Sequence, residues 1–214
     1  MSASRDLPLF PLPGVVLLPE TLLPLHIFED RYRAMVADAL RGDRTIGMAL
    51  LRPGGERAAE ERIYAIGGAG EIVESEELED GRYNILLQAR FRFRVLGESA
   101  AGSYRVARVE EVPSVPFGSA GEQARAAGRS RALFRSLEGG LELPALPSES
   151  LSAERLASEI ALRLRYSPPE LQSILETDAV QARFETLDRR MIEWKARLEF
   201  LAPFRPANLD SRTN

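Results

Sequence analysis

Residues Leu7 to Arg41, LPLFPLPGVVLLPETLLPLHIFEDRYRAMVADALR, constrain the fold more than any other stretch, because two short proline-broken apolar segments run directly into one amphipathic helix. Pro8, Pro11, Pro13, Pro19 and Pro24, with Gly14, interrupt the apolar run wherever a continuous helix would need a backbone donor. The stretch therefore reads as strand, turn, strand and helix. A membrane span is excluded by the same prolines, and a secretory leader by Arg5 and Asp6 preceding a broken apolar core. A cytoplasmic chain is the expectation. In the helix, predicted over about 29–41, Tyr32, Met35, Val36, Ala39 and Leu40 fall on one face, while Arg31, Arg33, Asp38 and Arg41 point outward.

Composition removes whole classes of chemistry. The chain of 214 residues, long enough to bury roughly 70% of its unfolded surface, has no cysteine, one histidine (His26) and one lysine (Lys195). Disulfides and thiolate chemistry are excluded, and the carboxylates show no calcium-loop spacing. A phosphate-binding loop needs a lysine behind its glycines, whereas Lys195 lies in TLDRRMIEWKARLEF. That context also serves a serine–lysine pair poorly. His26, in Pro-Leu-His-Ile-Phe, reads as a core histidine donating to a backbone carbonyl rather than as a catalytic base. Gly67, Gly68 and Gly70 lack the dinucleotide spacing and the following helix; they read as places where a strand bends or bulges so that a sheet can close. The expectation is a non-enzyme with no cofactor and no metal site.

Along the chain, Thr45–Leu51 reads as a strand and Arg52 to Glu61 as a polar turn-rich loop. Strand-like runs follow at Ile63–Val73, Tyr83–Gln88, Phe91–Leu96 and Tyr104–Val112, with the turn pair Asp80-Gly81 among them. Phe91, Phe93 and Val95 should share one face, and Arg90, Arg92 and Arg94 the other, solvated one. Past Pro116 the composition turns helical, so a boundary is expected near 114–120. Ser119 with Glu122 predicts a capped helix through Leu137, stopped by Gly139-Gly140, with a connector from Leu141 to Ser148. A helix from about Ala153 to Arg165 should follow. Ser167-Pro-Pro-Glu170 is a strong start signal for a short helix through Leu175, and a last long helix begins near Asp178. In it Val180, Phe184, Leu187, Met191, Trp194, Leu198 and Leu201 form a heptad seam, which serves either packing within the helical half or self-association.

The fold class predicted is α+β: a β-rich half over 5–115 with one helix, a helical half over 119–205, and a flexible tail over 206–214. The opening stretch resembles the N-terminal, substrate-binding domain of Lon proteases. Asp80-Gly81-Arg82-Tyr83, Arg92-Phe93-Arg94-Val95, Pro168 to Glu176 and Arg183 to Arg190 extend that likeness over about residues 7–200. The resemblance implies a PUA-like barrel packed against a helical bundle, and a stand-alone recognition domain without ATPase or protease domains. It further implies unfolded or damaged polypeptide as partner, with a full-length Lon or another protease as a second partner.

Leu17, Leu18, Pro19, Leu22 and Leu23 are the candidate polypeptide-binding residues, the competing reading being that the leucines are core. The cleft between barrel and helices is the default place for a site. Two other functions remain open, an RNA-binding PUA-like module and a hydrolase- or peptidase-associated protein. From Arg82 to Arg108 there are six arginines and one acid, Glu98. Glu71, Glu74, Glu76, Glu77, Glu79 and Asp80 precede them, so cross-strand ion pairing is expected to cancel that charge. With a net charge of -4, nucleic acid is a minor partner.

Overall fold

The computed structural model describes residues 4–53, 62–99, 102–138, 140–147 and 151–201. Most of the polar loop, Gly139, Ser148, the end of the helical half and the tail expected over 206–214 lie outside them.

β1 (Arg5–Leu12) enters a loop, and β2 (Leu22–Ile27) then leads into α1 (Asp30–Arg41). Tyr32, Met35, Val36 and Ala39 of α1 are buried, as the spacing predicts. β3 (Thr45–Leu50), β4 (Ile66–Glu77), β5 (Tyr83–Ser99) and β6 (Arg105–Glu111) complete the strands. The two runs expected at Tyr83–Gln88 and Phe91–Leu96 are one continuous strand of 17 residues. Its length serves two pairings. Tyr83 to Gln88 pair with β2, Phe93 to Ser99 pair with β6 on that same side, and β4 lies along the other. β4 pairs β3, β3 runs parallel to β1, and β1 pairs β6, so five strands close a ring through β5 while β2 is added outside it.

The glycines of β4 do more than admit a bulge, although the register does shift between Ala69 and Gly70. A Cβ on Gly68 would lie 2.2 Å from the Leu17 carbonyl oxygen, and one on Gly67 would lie 2.4 Å from the Phe93 ring. The small residues make room for Leu17 and for Phe93, both fully withdrawn from water. Leu17 joins Phe10, Ile46, Ile72 and Leu87 beneath α1, so the expectation that Leu17 contributes to a binding surface is corrected: the glycine channel takes it into the core.

The helical half consists of α2 (Ala120–Glu138), α3 (Ala153–Arg163), α4 (Pro168–Glu176) and α5 (Val180–Leu201). The predicted start of α4 is realised by Glu170, whose carboxylate accepts from both the backbone N–H and the hydroxyl of Ser167 at 2.7 Å. Ser119 accepts from the Glu122 N–H at 3.2 Å at the head of α2. The α5 seam is buried at Val180, Phe184, Leu187 and Met191, where α5 packs on α2 and α3; Trp194 and Leu198 are half-buried and Leu201 is exposed. Asp188, buried, accepts from Ser130 and from Arg129, pinning α2 to α5.

Between the halves there is a filled joint instead of an open cleft. Val16, Leu18, Leu50 and Ile66 of the β half share one apolar cluster with Leu156, Ile160, Leu171, Ile174 and Phe184. Leu18 is therefore core, like Leu17. Arg92, expected in solvent with Arg90 and Arg94, is 2% exposed, because α4 covers that face of β5. Its guanidinium donates to the carbonyls of Leu175 at 2.7 Å and Pro113 at 3.0 Å, and to the Asp178 carboxylate at 3.0 Å. Arg183, equally buried, donates to the Thr177 carbonyl at 2.7 Å, to Glu154 at 2.7 Å and to Ser114 at 2.9 Å. Gln172 adds a bond of 2.9 Å to the Ile66 carbonyl.

Arg92→Met should therefore leave the last carbonyls of α4 buried and unpaired, lowering stability by roughly 3 kcal/mol, as read from the urea midpoint. Neutralising Arg90 and Arg94, both exposed, should shift it by less than about 0.5 kcal/mol. A second prediction concerns alkali. Burial pushes the Tyr166 hydroxyl up to about 12, against the ordinary 10, and the hydroxyl has no hydrogen-bond partner among the described residues. The unfolded chain ionises first, so the stability that Tyr166 contributes is complete below pH 10 and is lost as the pH rises towards 12. Tyr166→Phe should flatten that fall in a pH series of thermal melts while leaving the neutral-pH midpoint nearly unchanged.

Candidate functional site

Because β2 lies outside the ring, the three strands β2, β5 and β4 form a short sheet whose inner face packs under α1 and whose outer face is open. Strand pairing sets Pro24, Leu86 and Glu74 in one row across that outer face, and His26, Asn84 and Glu76 in the next. These six line a shallow groove of about 550 Å³. One wall is β2, with Pro24 and His26, and exposed apolar side chains stand beside it. Leu22, one row further along β2, is 49% exposed, and Phe28, 62% exposed, stacks on His26 with ring centroids 6.3 Å apart. The other wall is acidic, formed by Glu74 and Glu76 of β4. A bulge between Ile72 and Glu74 sets the facing of this wall: Ile72 stays in the core while Glu74 turns outward.

Directional hydrogen bonds hold the floor. Asn84 uses its Nδ2 to donate to Glu76 at 2.9 Å, which leaves its Oδ1 to accept from His26 Nδ1 at 2.8 Å. His26 Nε2 then accepts from Arg82 Nη1 at 3.2 Å, and Arg82 Nε donates to Asp80 at 2.6 Å. The backbone N–H of Arg82, together with its guanidinium, holds the Asp80 carboxyl below the usual carboxylate range. Gly81, at φ +76°, makes the adjoining turn, and its carbonyl accepts from Arg33 of α1 at 2.7 Å. His26 is thus an exposed surface residue bonded to side chains on both ring nitrogens; its place on the outer face of β2 corrects the core histidine expected from its apolar neighbours. Neither of its partners is a nucleophile. Among the described residues no cluster of His, Cys, Asp or Glu could hold a metal ion.

Of the five residues singled out in sequence, Leu17 and Leu18 are buried, Pro19 and Leu23 are half-buried, and only Leu22 stands exposed beside the groove. Pro24, His26, Phe28, Glu74, Glu76 and Leu86 were not anticipated. Phe28 did carry a signal. It precedes the helix N-cap Glu29, where an apolar residue commonly packs against the fourth helical residue, and here that residue is Arg33. With no apolar partner on the helix, Phe28 projects into water. Elsewhere, Leu141, Trp194, Leu198 and Leu201 line a second groove of about 380 Å³ at the end of α5, edged by Arg190 and Arg197.

The closed ring and the helical half place the chain among known proteins. The family model for the ATP-dependent protease La (LON) substrate-binding domain matches residues 6–191. Lon protease 2 of Syntrophobacter fumaroxidans is 32% identical over 207 residues, covering 91% of this chain and 25% of that protein. Lon protease of Dictyoglomus thermophilum is 30% identical over 187 residues, covering 84% and 23%. The chain thus spans about a quarter of the length of these curated relatives. Among solved structures, the Lon N-terminal domain protein from Xanthomonas campestris superposes with a TM-score of 0.64 at 26% identity, covering 86% of this chain and 96% of that one. The N-terminal domain of the Mycobacterium avium complex Lon protease shares the fold, with a TM-score of 0.64 at 17% identity. No helix among the described residues is long and apolar enough to cross a membrane. By sequence, over nearly its whole length, and by fold, this chain belongs to the family of Lon protease substrate-binding domains.

Proposed function

We propose that this chain is a cytoplasmic, non-catalytic recognition module that binds exposed apolar segments of unfolded or damaged proteins and serves a proteolytic system, with a full-length Lon protease as its natural companion. The observation that carries this reading is the outer face of β2. Leu22 and Phe28 stand largely in water although both are large and apolar, and they flank a preformed groove whose floor is held by His26, Asn84 and Arg82. Large apolar side chains exposed beside a concave surface mark interaction sites. Family membership supports the same reading, since the matched model describes a substrate-binding domain. Chemistry on a bound chain has little to work with: His26 is tied to Asn84 and Arg82, and Lys195 faces Glu199 on α5 at 3.9 Å, far along the chain from the groove. The arginines of the β half also lend little support to RNA binding. Arg82, Arg90, Arg94, Arg105 and Arg108 are each engaged by a carboxylate, and Arg92 is buried.

Fluorescence anisotropy of a labelled, permanently unfolded polypeptide, titrated with the chain in the absence of nucleotide, tests the proposal. Saturable binding that the folded form of the same polypeptide fails to displace is expected. Phe28→Ser and Leu22→Ser should each weaken it by roughly tenfold, about 1.4 kcal/mol, with unchanged circular dichroism. Absence of binding up to about 100 μM, where affinity has fallen to roughly 5.5 kcal/mol, overturns the reading.

A further inference from the structure

The groove has two unlike walls, and its acidic wall is not neutralised. Among the described residues Glu74 forms no ion pair, and Glu76 accepts only the Asn84 amide. Both are exposed at the rim of the groove, opposite Pro24 and His26 across β5. Glu71, one row along, is different, since Arg90 neutralises it at 2.7 Å. Two carboxylates without a cation among the described residues therefore face Pro24 and His26, with Leu86 between on the floor and the exposed side chains of Leu22 and Phe28 beside the groove.

Resting on the reading that this groove takes unfolded polypeptide, we propose that its ligands are extended segments in which lysine or arginine residues are interspersed with large apolar ones. The dimensions suit such a segment. In an extended chain, side chains two positions apart on one face are separated by roughly 6.7 Å, matching the step between the Pro24–Leu86–Glu74 row and the His26–Asn84–Glu76 row. A strand laid along the groove drops its apolar side chains towards Leu22, Leu86 and Phe28. Its basic side chains reach Glu74 and Glu76 by their flexible stems, whose methylenes cover apolar surface while the charged head stays wet. An acidic segment meets the same two carboxylates and is repelled. Discrimination comes from that repulsion as much as from the attraction, and it is screened by salt because the pairs remain at the surface.

The test uses three labelled decapeptides with the same leucine and phenylalanine positions and with arginine, serine or glutamate at the remaining ones, titrated by anisotropy beside the permanently unfolded polypeptide. The arginine peptide should bind at least tenfold more tightly than the glutamate peptide at low ionic strength, and the ratio should shrink towards threefold in 0.5 M salt. In the double variant Glu74→Gln, Glu76→Gln that ratio should collapse to near one, whereas Glu138→Gln, on α2 away from the groove, should preserve it. Equal affinity for all three peptides while the unfolded polypeptide still binds would overturn this inference and leave the recognition module standing. A preference for arginine that survives the double variant would also overturn it, by moving the charge selection elsewhere on the chain. Failure of every peptide and of the unfolded polypeptide to bind would overturn both.

Discussion

The fold depends on one buried cation. Arg92 sits at the centre of β5, buried, with its head against the end of α4, where carbonyl groups of a helix have no partners of their own. A guanidinium offers five donors in a fixed plane, and here its two terminal nitrogens reach the Leu175 and Pro113 carbonyls and the Asp178 carboxylate, while the buried Nε–H has no partner among the described residues. Burying such a charge is costly unless its partners are fixed in advance. The linker after β6, the end of α4 and the turn into α5 each supply one, so these bonds form only when the two halves meet in one orientation. Arg183 stands beside it with the same sign. Burial pushes the Arg183 guanidinium below its ordinary value, and Arg92 adds to that, while Glu154 and Asp178 work in the other direction. The pair of arginines is tolerable because two carboxylates and three carbonyls enclose it.

Filling the joint this way moves the open surface elsewhere. Leu18, Val16 and Leu50 are spent on the helices, and α1 covers the inner side of the β2, β5 and β4 sheet. What stays uncovered is the outer face of the one strand that ring closure does not need. β2 is held to the first half of β5 alone, and its alternation sends Ile27 inward while Leu22, Pro24 and His26 stay outside. Exposed apolar side chains, Leu22 and Pro24, are thus presented on the flank of the ring, with Phe28 extending them where the chain turns into α1.

Which of these features could be read from sequence follows from how local their causes are. The start of α4 was legible because Ser167, Pro168 and Glu170 form the cap among themselves, and α1 because Tyr32, Met35, Val36 and Ala39 recur at helical spacing. Arg92 was not. It alternates with Phe91 and Phe93 just as Arg90 and Arg94 do, and only the arrival of a helix 83 residues later, in the Leu175 contact, turns one of three equivalent positions into the interior. The leucines failed for a related reason. Leu17, Leu18, Leu22 and Leu23 look alike in the chain, and what separates them is a glycine channel in β4, which takes Leu17, and a helical bundle, which takes Leu18.

The acidic run shows the same logic with charge. A hairpin between Glu71 to Asp80 and Arg82 to Arg108 suggests a ladder in which the two signs cancel. The register limits that: Glu74 and Glu76 lie opposite Leu86 and Asn84, Arg92 and Arg94 lie opposite Gly68 and Ile66, and the far end of β5 pairs β6. Arg94, Arg105 and Arg108 therefore find Glu110, Glu98 and Asp6. Arg92 leaves the surface altogether, and of the acidic run only Glu71 and Asp80 receive an arginine from this set. Glu77 turns to the opposite face, beside Tyr83. Among the described residues Glu74 and Glu76 are left without a cation, because the register of β4 against β5 sets Leu86 and Asn84, not arginines, across from them. The charged wall of the groove is thus a consequence of the same strand that closes the barrel and anchors the helices.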